Sequence, residues 1–250
     1  MILDGTVALV TGAGQGVGRG IALALAADGA QVAVVGRTAA KCQTVAAEIA
    51  ERGGRAVAVA ADITRRGEVD SCVAAVRAQL GPISCLVNAA QQTHYSSLRK
   101  LTEDNLDAVW QSGAVGSLRM MQACFDDLRA TRGAVINVGS GSGLTARPAM
   151  GAYAAVKEAL RTMSRVAAAE WGRYGIRVNV VCPLAASPGM DSWMTDLPGA
   201  GDELVSQVPL GRLGDAEHDI GRAVVFLAGP DSGYITGTTL MVDGGFDYLR

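Results

Sequence analysis

Three side chains in the middle of the chain, Ser140, Tyr153 and Lys157, have types and spacing suited to moving a proton on and off an oxygen atom. Tyr153 and Lys157 stand at i and i+4, so a helix presents both on one face. A free phenol titrates near ~10, too high for easy proton exchange at neutral pH. An ammonium beside it favours the phenolate and draws that pKa toward the working range of a general acid/base. A serine hydroxyl close by would hold a substrate oxygen in reach. Alone, the pair reads as well as a Tyr and a Lys on a solvated helix surface, so its meaning depends on what accompanies it.

What accompanies it is a glycine-rich turn, Thr11-Gly12-Ala13-Gly14-Gln15-Gly16-Val17-Gly18, set directly after the first apolar run. Glycines permit a tight strand-to-helix turn and let backbone approach a pyrophosphate, because no Cβ intervenes. The helix that follows aims free N–H groups and its positive dipole end at the anion. The spacing is not GxGxxG but TGxxxGxG, carried by Thr11, Gly12, Gly16 and Gly18. Dinucleotide choice is written about 20 residues on, where an acid would bind the ribose 2′-hydroxyl of NAD and repel a 2′-phosphate. This chain has Val35-Gly36-Arg37-Thr38 there, with no acid. A guanidinium fits a phosphate by geometry and by charge, which favours NADP(H) over NAD(H). The alternative is an Arg37 that stacks on adenine or lies in solvent.

Other chemistries find little support. The five cysteines (Cys42, Cys72, Cys85, Cys124, Cys182) are scattered and odd in number, and none forms a CxxC pair, which suits core thiols better than a disulfide framework. His94 and His218 are the only histidines and no zinc-type cluster surrounds them, so neither a metal site nor a Ser-His-Asp triad is expected. A net charge of −2, from 22 basic and 24 acidic residues, offers no footprint for nucleic acid. No apolar run is long enough to cross a bilayer, and Met1-Ile2-Leu3-Asp4-Gly5 lacks the basic start of a secretory signal. The expectation is a cytoplasmic enzyme with a small-molecule substrate.

The elements that must position these residues are readable from periodicity. Apolar runs at Thr6–Val10, Val32–Val35, Ala56–Ala60, Ser84–Val87, Ala134–Val138, Ile176–Val181 and Thr239–Val242 read as strands. Helical spacing fills Val17–Ala27, Ala39–Arg52, Arg65–Leu80, Thr102–Ala130, Ala152–Tyr174 and Ala216–Leu227, with the fourth broken near Gly113 and Gly116. Strict alternation implies an α/β chain: a Rossmann-type, doubly wound parallel β-sheet with helices on both faces. With 49% hydrophobic residues and 18% charged, 250 residues suffice for a single domain, 1–250. The stretch 184–210 holds four prolines with Pro183 and several glycines, and reads as an insertion at a strand's carboxyl end, where open α/β sheets bind ligands. Its Met190, Trp193, Met194 and Leu197 suit an apolar substrate lid.

These motifs, in this order, resemble the short-chain dehydrogenase/reductase family, in its branch of about 250 residues, and are similar to 3-oxoacyl-carrier-protein reductase-like members. The resemblance runs through Thr11–Gly18, Asp62-Ile63, Leu86-Val87-Asn88, Asn137–Ser140, Tyr153–Lys157, Gly175–Asn179, Pro209–Leu213 and Tyr234–Gly245. It implies a sheet of about seven strands and a homotetramer or homodimer. It implies hydride transfer between a nicotinamide cofactor and a carbonyl or secondary alcohol, with Tyr153 as general acid/base. Ser140 would polarise the substrate oxygen, and Lys157 would hold the nicotinamide ribose and lower the Tyr153 pKa. Gly12, Gln15, Gly16, Val17, Gly18, Arg37, Thr38, Asp62, Ile63, Asn88, Ala89, Ala90, Pro183 and Ser187 are the further cofactor contacts expected. Gln91, Gln92, His94 and Tyr95 follow the fourth strand and could supply polar substrate contacts near the same mouth, with Leu184, Met190 and Trp193 of the insertion as further substrate contacts.

The chain also departs from the family's pattern on the nicotinamide side. Gly113 stands where the resemblance expects an Asn that serves a proton relay; Gln111, Ser112 and Ser117 are neighbours that could take its place. Asn88-Ala89-Ala90-Gln91 ends in a long amide rather than glycine, Pro183 is followed by Leu184, and Ser187 replaces a threonine. Alternatives therefore stay open: an NADPH-dependent carbonyl reductase, an NAD-dependent alcohol dehydrogenase of the same fold, or a weakly active or non-catalytic nucleotide-binding member.

Overall fold

The chain's computed structural model describes residues 1–186 and 200–247. Seven parallel strands form one sheet: β1 Val7–Thr11, β2 Gln31–Gly36, β3 Arg55–Ala60, β4 Cys85–Asn88, β5 Ala134–Val138, β6 Arg177–Pro183 and β7 Thr239–Val242. Their order is β3-β2-β1-β4-β5-β6-β7. The chain therefore builds outward from β1 to β3, then returns to the other side of β1 with β4. That reversal opens a crevice at the carboxyl ends of β1 and β4, where Thr11 pairs in register with Asn88. The glycine-rich turn and the Asn88–Gln91 segment both leave the sheet there.

Strand composition explains the two-sided burial. Along β1 successive side chains point to opposite faces. Ala8 and Val10 enter one core with Ile21, Leu25 and Val224; Val7 and Leu9 enter the other with Val69, Val73 and Met120. The helices α1 Gly16–Ala27, α2 Ala39–Glu51 and α10 Arg222–Ala228 cover the first face. The second is covered by α3 Arg66–Leu80, α5 Gly116–Ala123, α6 Phe125–Thr131 and α8 Gly151–Trp171. The two edge strands depart from the expectation of strands buried throughout: β3 is only half-buried and exposed at Arg55 and Ala60, and β7 is half-buried beyond Thr239.

The expected helix 102–130 is three helices. The first, α4 Glu103–Trp110, begins at a Thr102 cap whose hydroxyl accepts from Asn105 N. A π-helical turn over Gln111–Val115 follows, then α5 and α6. Of the two glycines that mark the break in the sequence, Gly113 lies within the turn and Gly116 opens α5, and π-turns of this kind re-aim side chains inside helices. At the other end, α8 runs as a helix to Trp171 and tightens into a 3₁₀ turn over Gly172–Tyr174. Within the expected insertion, α9 Ala200–Ser206 is helical, and a short helical turn, α7 Ser142–Thr145, precedes α8.

Candidate active site

Two clefts meet above the carboxyl ends of β1, β4, β5 and β6. The first, of about 350 Å³, is lined by Gly12, Gln15, Gly16, Val17 and Gly18, by Arg37 and Thr38, by Asp62 and Ile63, and by Ala89 and Ala90. The second, of about 540 Å³, is lined by Ser140, Tyr153, Lys157, Pro183 and Leu184, together with Tyr95, Arg147, Met150, Leu204 and Phe246. Val17, Ala89 and Gln91 line both, so the two clefts form one path.

Close backbone packing makes the first cleft. Gly12 sits at φ +68°, and a Cβ there would lie 2.8 Å from Ala90 Cα. A Cβ on Gly18 would lie 2.4 Å from Gly12 O, so the helix start and the turn can nest only without side chains. Behind them the fully buried Thr11 hydroxyl accepts from Ala89 N at 3.1 Å and Ala90 N at 3.2 Å, tying the turn to the segment after β4. α1 has no acid in its first turn and no side-chain bond at its Gln15 cap, so its positive end is left for an anion. The cradle fits a dinucleotide pyrophosphate.

At the far end of this cleft, Arg37 is exposed and is joined by Lys41, which donates to Gln15 Oε1. Lys41 was not singled out from sequence; its place at i+4 from Arg37, on the first turn of α2, was the available signal. Burial tends to raise the Asp62 carboxyl, but Thr64 outweighs it by donating from N at 2.9 Å and Oγ1 at 2.8 Å, with Arg37 and Arg65 adding attraction. The net result lies below the ordinary value, so Asp62 is an anion at neutral pH. Asn88 does not line either cleft. It is buried between strands and donates to Asn137 Oδ1 at 2.8 Å, while Asn137 donates to Ser164 Oγ at 2.8 Å.

In the second cleft α8 presents Tyr153 and Lys157 on one face, as their spacing predicts. The Lys157 ammonium lies 5.5 Å from the centroid of the Tyr153 ring and donates to Val138 O at 2.7 Å. Ser140 Oγ lies 2.8 Å from Ser142 Oγ and accepts from Ser142 N at 3.2 Å. The protonation balance differs from the expectation for the pair. Burial pushes the Tyr153 phenol up to about 12 despite a hydrogen bond with Ser140, and Tyr95 and Cys182 push the same way. Burial likewise pulls the Lys157 ammonium down to about 8. Desolvation thus outweighs the Ser140 hydrogen bond at the phenol, and it is the lysine that is brought near neutral pH.

Tyr95 packs edge-on against Tyr153, with ring centroids 6.4 Å apart. His94 points elsewhere: its Nε2 meets Asn105 Nδ2 at 3.0 Å and the ring lines neither cleft, whereas Thr93 and Tyr95 beside it do. An extended segment alternates its side chains, so neighbours of cleft residues face away. Ser187, Met190, Trp193, Met194 and Leu197 lie outside the described residues. Sequence reasoning missed Arg147, which reaches Asp247 at 3.2 Å and stacks 4.2 Å over the Phe246 ring, closing one wall with the segment after β7.

Comparison with known proteins agrees with this arrangement. The protein-family pattern described as enoyl-(acyl carrier protein) reductase matches residues 12–247. A 12alpha-hydroxysteroid dehydrogenase of Clostridium sp. is 39% identical, over 98% of this chain and 97% of that protein. Galactitol 2-dehydrogenase (L-tagatose-forming) of Cereibacter sphaeroides is 35% identical, over 98% and 96%. The crystal structure of a 3-ketoacyl-(acyl-carrier-protein) reductase from Brucella melitensis, complexed with NADH, superposes with a TM-score of 0.91 at 30% identity, covering 98% of this chain and 100% of that one.

Proposed function

The chain belongs to the short-chain dehydrogenase/reductase family, and from that premise we propose that it interconverts a ketone and a secondary alcohol with NADP(H), Tyr153 serving as general acid/base. The observation that carries this reading is the meeting of the phosphate cradle and the Ser140–Tyr153–Lys157 cluster along one continuous path. The dinucleotide supplies the hydride. The chain's residues do the rest. Gly12, Gly16 and Gly18 receive the pyrophosphate, and Asp62 and Ile63 flank the adenine end. Ser140 orients the substrate oxygen. Tyr153, held protonated by burial, donates its phenolic proton to that oxygen in the reductive direction. Lys157, brought near neutral pH, holds the nicotinamide ribose and exchanges the proton that Tyr153 needs back.

Arg37 and Lys41 support NADP(H): two cations stand at the adenosine end of the cleft, and the position after β2 where an acid would repel a 2′-phosphate carries a guanidinium. The NADH in the Brucella melitensis structure supports the alternative of NAD use. Leu184, Leu204, Met150 and Phe246 support a substrate with an apolar body. Leu106 and Trp110 on α4 and Val166 on α8 are large apolar side chains left exposed, which supports association into a dimer or tetramer through that helix pair. All five cysteines are buried free thiols, in keeping with a cytoplasmic protein.

The test is oxidation of NADPH and NADH by purified protein against a panel of alicyclic and steroid-sized ketones, 3-oxoacyl thioesters and ketohexoses. Faster consumption of NADPH with an apolar ketone is the expected result. Tight binding of dinucleotide with no turnover of any class would overturn it.

A further inference from the structure

One wall of the second cleft is built around a guanidinium. Arg147 lies on the loop between α7 and α8. Ala146 and Ala149, on either side of Arg147-Pro148, stand at φ +48° and +65°, in the left-handed region that L-residues enter only at a cost. Such conformations persist where the surroundings hold them, and here they are held from both sides. Ala149 O accepts from Ser96 N at 3.0 Å, one residue beyond Tyr95. Arg147 itself is fixed at three points. Nε donates to Thr145 Oγ1 at 3.2 Å, Nη2 donates to Asp247 Oδ1 at 3.2 Å, and the guanidinium lies 4.2 Å over the Phe246 ring.

Those contacts use only part of the fork. A guanidinium carries five N–H donors in one plane, and Nη1, with two of them, has no hydrogen-bond partner among the described residues. Asp247 does not hide the charge. Its side chain is 9% exposed against 35% for Arg147, and its Oδ2 packs onto Gly141, which has no Cβ to meet it. The pair therefore turns its positive half outward. The other carboxylate of the cleft, Asp243, is spent on the turn after β7, accepting from Gly245 N at 3.0 Å and Asp247 N at 2.9 Å. The other cation, Lys157, is buried and donates to Val138 O. Arg147 is thus the one charged group lining this cleft, among the described residues, that has donors to spare and no part in the proton chemistry. Around it the lining is apolar, with Met150, Leu184, Leu204 and Phe246.

We propose that Arg147 is a specificity-determining residue: the substrate is an apolar ketone or alcohol that carries a carboxylate away from its reacting carbon, and the open edge of the Arg147 guanidinium takes that carboxylate. A rigid fork of parallel N–H groups matches the two oxygens of a carboxylate, and the plane of this one is already set by Phe246 and Asp247. The carboxylate is held by hydrogen bonds alone and neither gains nor loses a proton. The inference names a substrate class for the oxidoreductase reading above and rests on it.

Direct binding tests it without turnover. Matched keto acids and keto amides of straight-chain, monocyclic and steroid size are titrated calorimetrically into the protein in excess NADP⁺, which has no hydride to give. In at least one pair the acid should bind about tenfold tighter than the amide or better, and the preference should shrink at high salt. Arg147→Gln should bring acid and amide within about twofold of each other, and Arg147→Lys should keep part of the preference. Asp247→Asn keeps an acceptor for Nη2 but removes the counter-charge, so it should widen the preference beyond that of the wild type. A pair that served only to brace the wall would weaken acid and amide alike in both variants. Equal binding of acid and amide by the wild type in every pair, binding of neither, or a preference that survives Arg147→Gln overturns the proposal. A preference for the acid that depends on Arg147, with no hydride transfer from NADPH to any of these ketones, would leave the anion site standing and count against the oxidoreductase reading.

Discussion

Lys157→Met should make the protein more stable at neutral pH and less stable in alkali, with the two stability curves crossing. The Lys157 side chain is only 4% exposed, and burial pulls its ammonium from an ordinary 10.5 down to about 8. At about 1.4 kcal/mol per pH unit, holding the charge in the fold costs roughly 3 kcal/mol at pH 7. The sign follows from proton counting. Between about pH 8 and 10.5 the unfolded chain binds the Lys157 proton and the folded chain does not, so stability rises with pH across that window and is flat below it. Methionine matches the stem but abandons Val138 O, a buried acceptor now bonded at 2.7 Å, which costs about 1–3 kcal/mol. The difference leaves the variant ahead by roughly 0.5–2 kcal/mol at pH 7. Near pH 10 the wild type has regained most of its loss and leads by a similar margin. The buried thiols Cys72, Cys85 and Cys124, whose pKa values burial raises, lower the stability of both proteins alike above pH 9 and cancel in the comparison. Cys182 does not cancel, because Lys157 draws its thiol down; without that lysine the variant loses more stability above pH 9, in the same sense as the crossing. Urea denaturation of both proteins at half-unit steps from pH 7 to about 10 measures the difference. A difference that stays constant with pH would refute the reasoning, because it would mean that Lys157 titrates alike folded and unfolded.

Arg37→Ala should weaken NADPH about 10- to 100-fold in calorimetric titration, the worth of a charge-assisted phosphate contact, and leave NADH nearly unchanged. Lys41→Ala should do the same more weakly, and both effects should shrink at high salt. Gly18→Ala places a Cβ 2.4 Å from Gly12 O and should weaken both dinucleotides at least about tenfold, since the backbone of the cradle itself must move. Thr11→Val strands two N–H groups, of Ala89 and Ala90, and should cost about 1–3 kcal/mol in urea unfolding, whereas Thr11→Ser should cost less than half as much.

The strands and helices were legible because each strand is a short run of Val, Ile, Leu or Ala between glycine-marked turns, and each long helix carries one apolar stripe. Strand order was not, because pairing is decided by which faces fit and nothing in β4 alone says that it lies beside β1. The kink in the fourth helix showed in Gly113 and Gly116, but its π-turn geometry depends on what packs there. Within the site, the pairing of Tyr153 with Lys157 follows from a spacing of four. The lift of the Tyr153 phenol does not, since it comes from burial that no local pattern reports. Gln91 packs against Gly113, where a Cβ would meet its Oε1; that fit crosses more than twenty residues of chain and two elements, each position looks anomalous alone, and only their contact explains both. His94 misled for the opposite reason: its place just after β4 put it among the candidate substrate contacts, while backbone alternation turned it to Asn105.

The central claim is that Tyr153 moves the proton at a site whose dinucleotide cleft is built separately. Tyr153→Phe tests it most directly, with NADPH affinity and ketone turnover measured on the same preparation. The account predicts kcat lowered by about 10²–10⁴ with NADPH affinity within about twofold of wild type. Turnover surviving in the phenylalanine variant would contradict it.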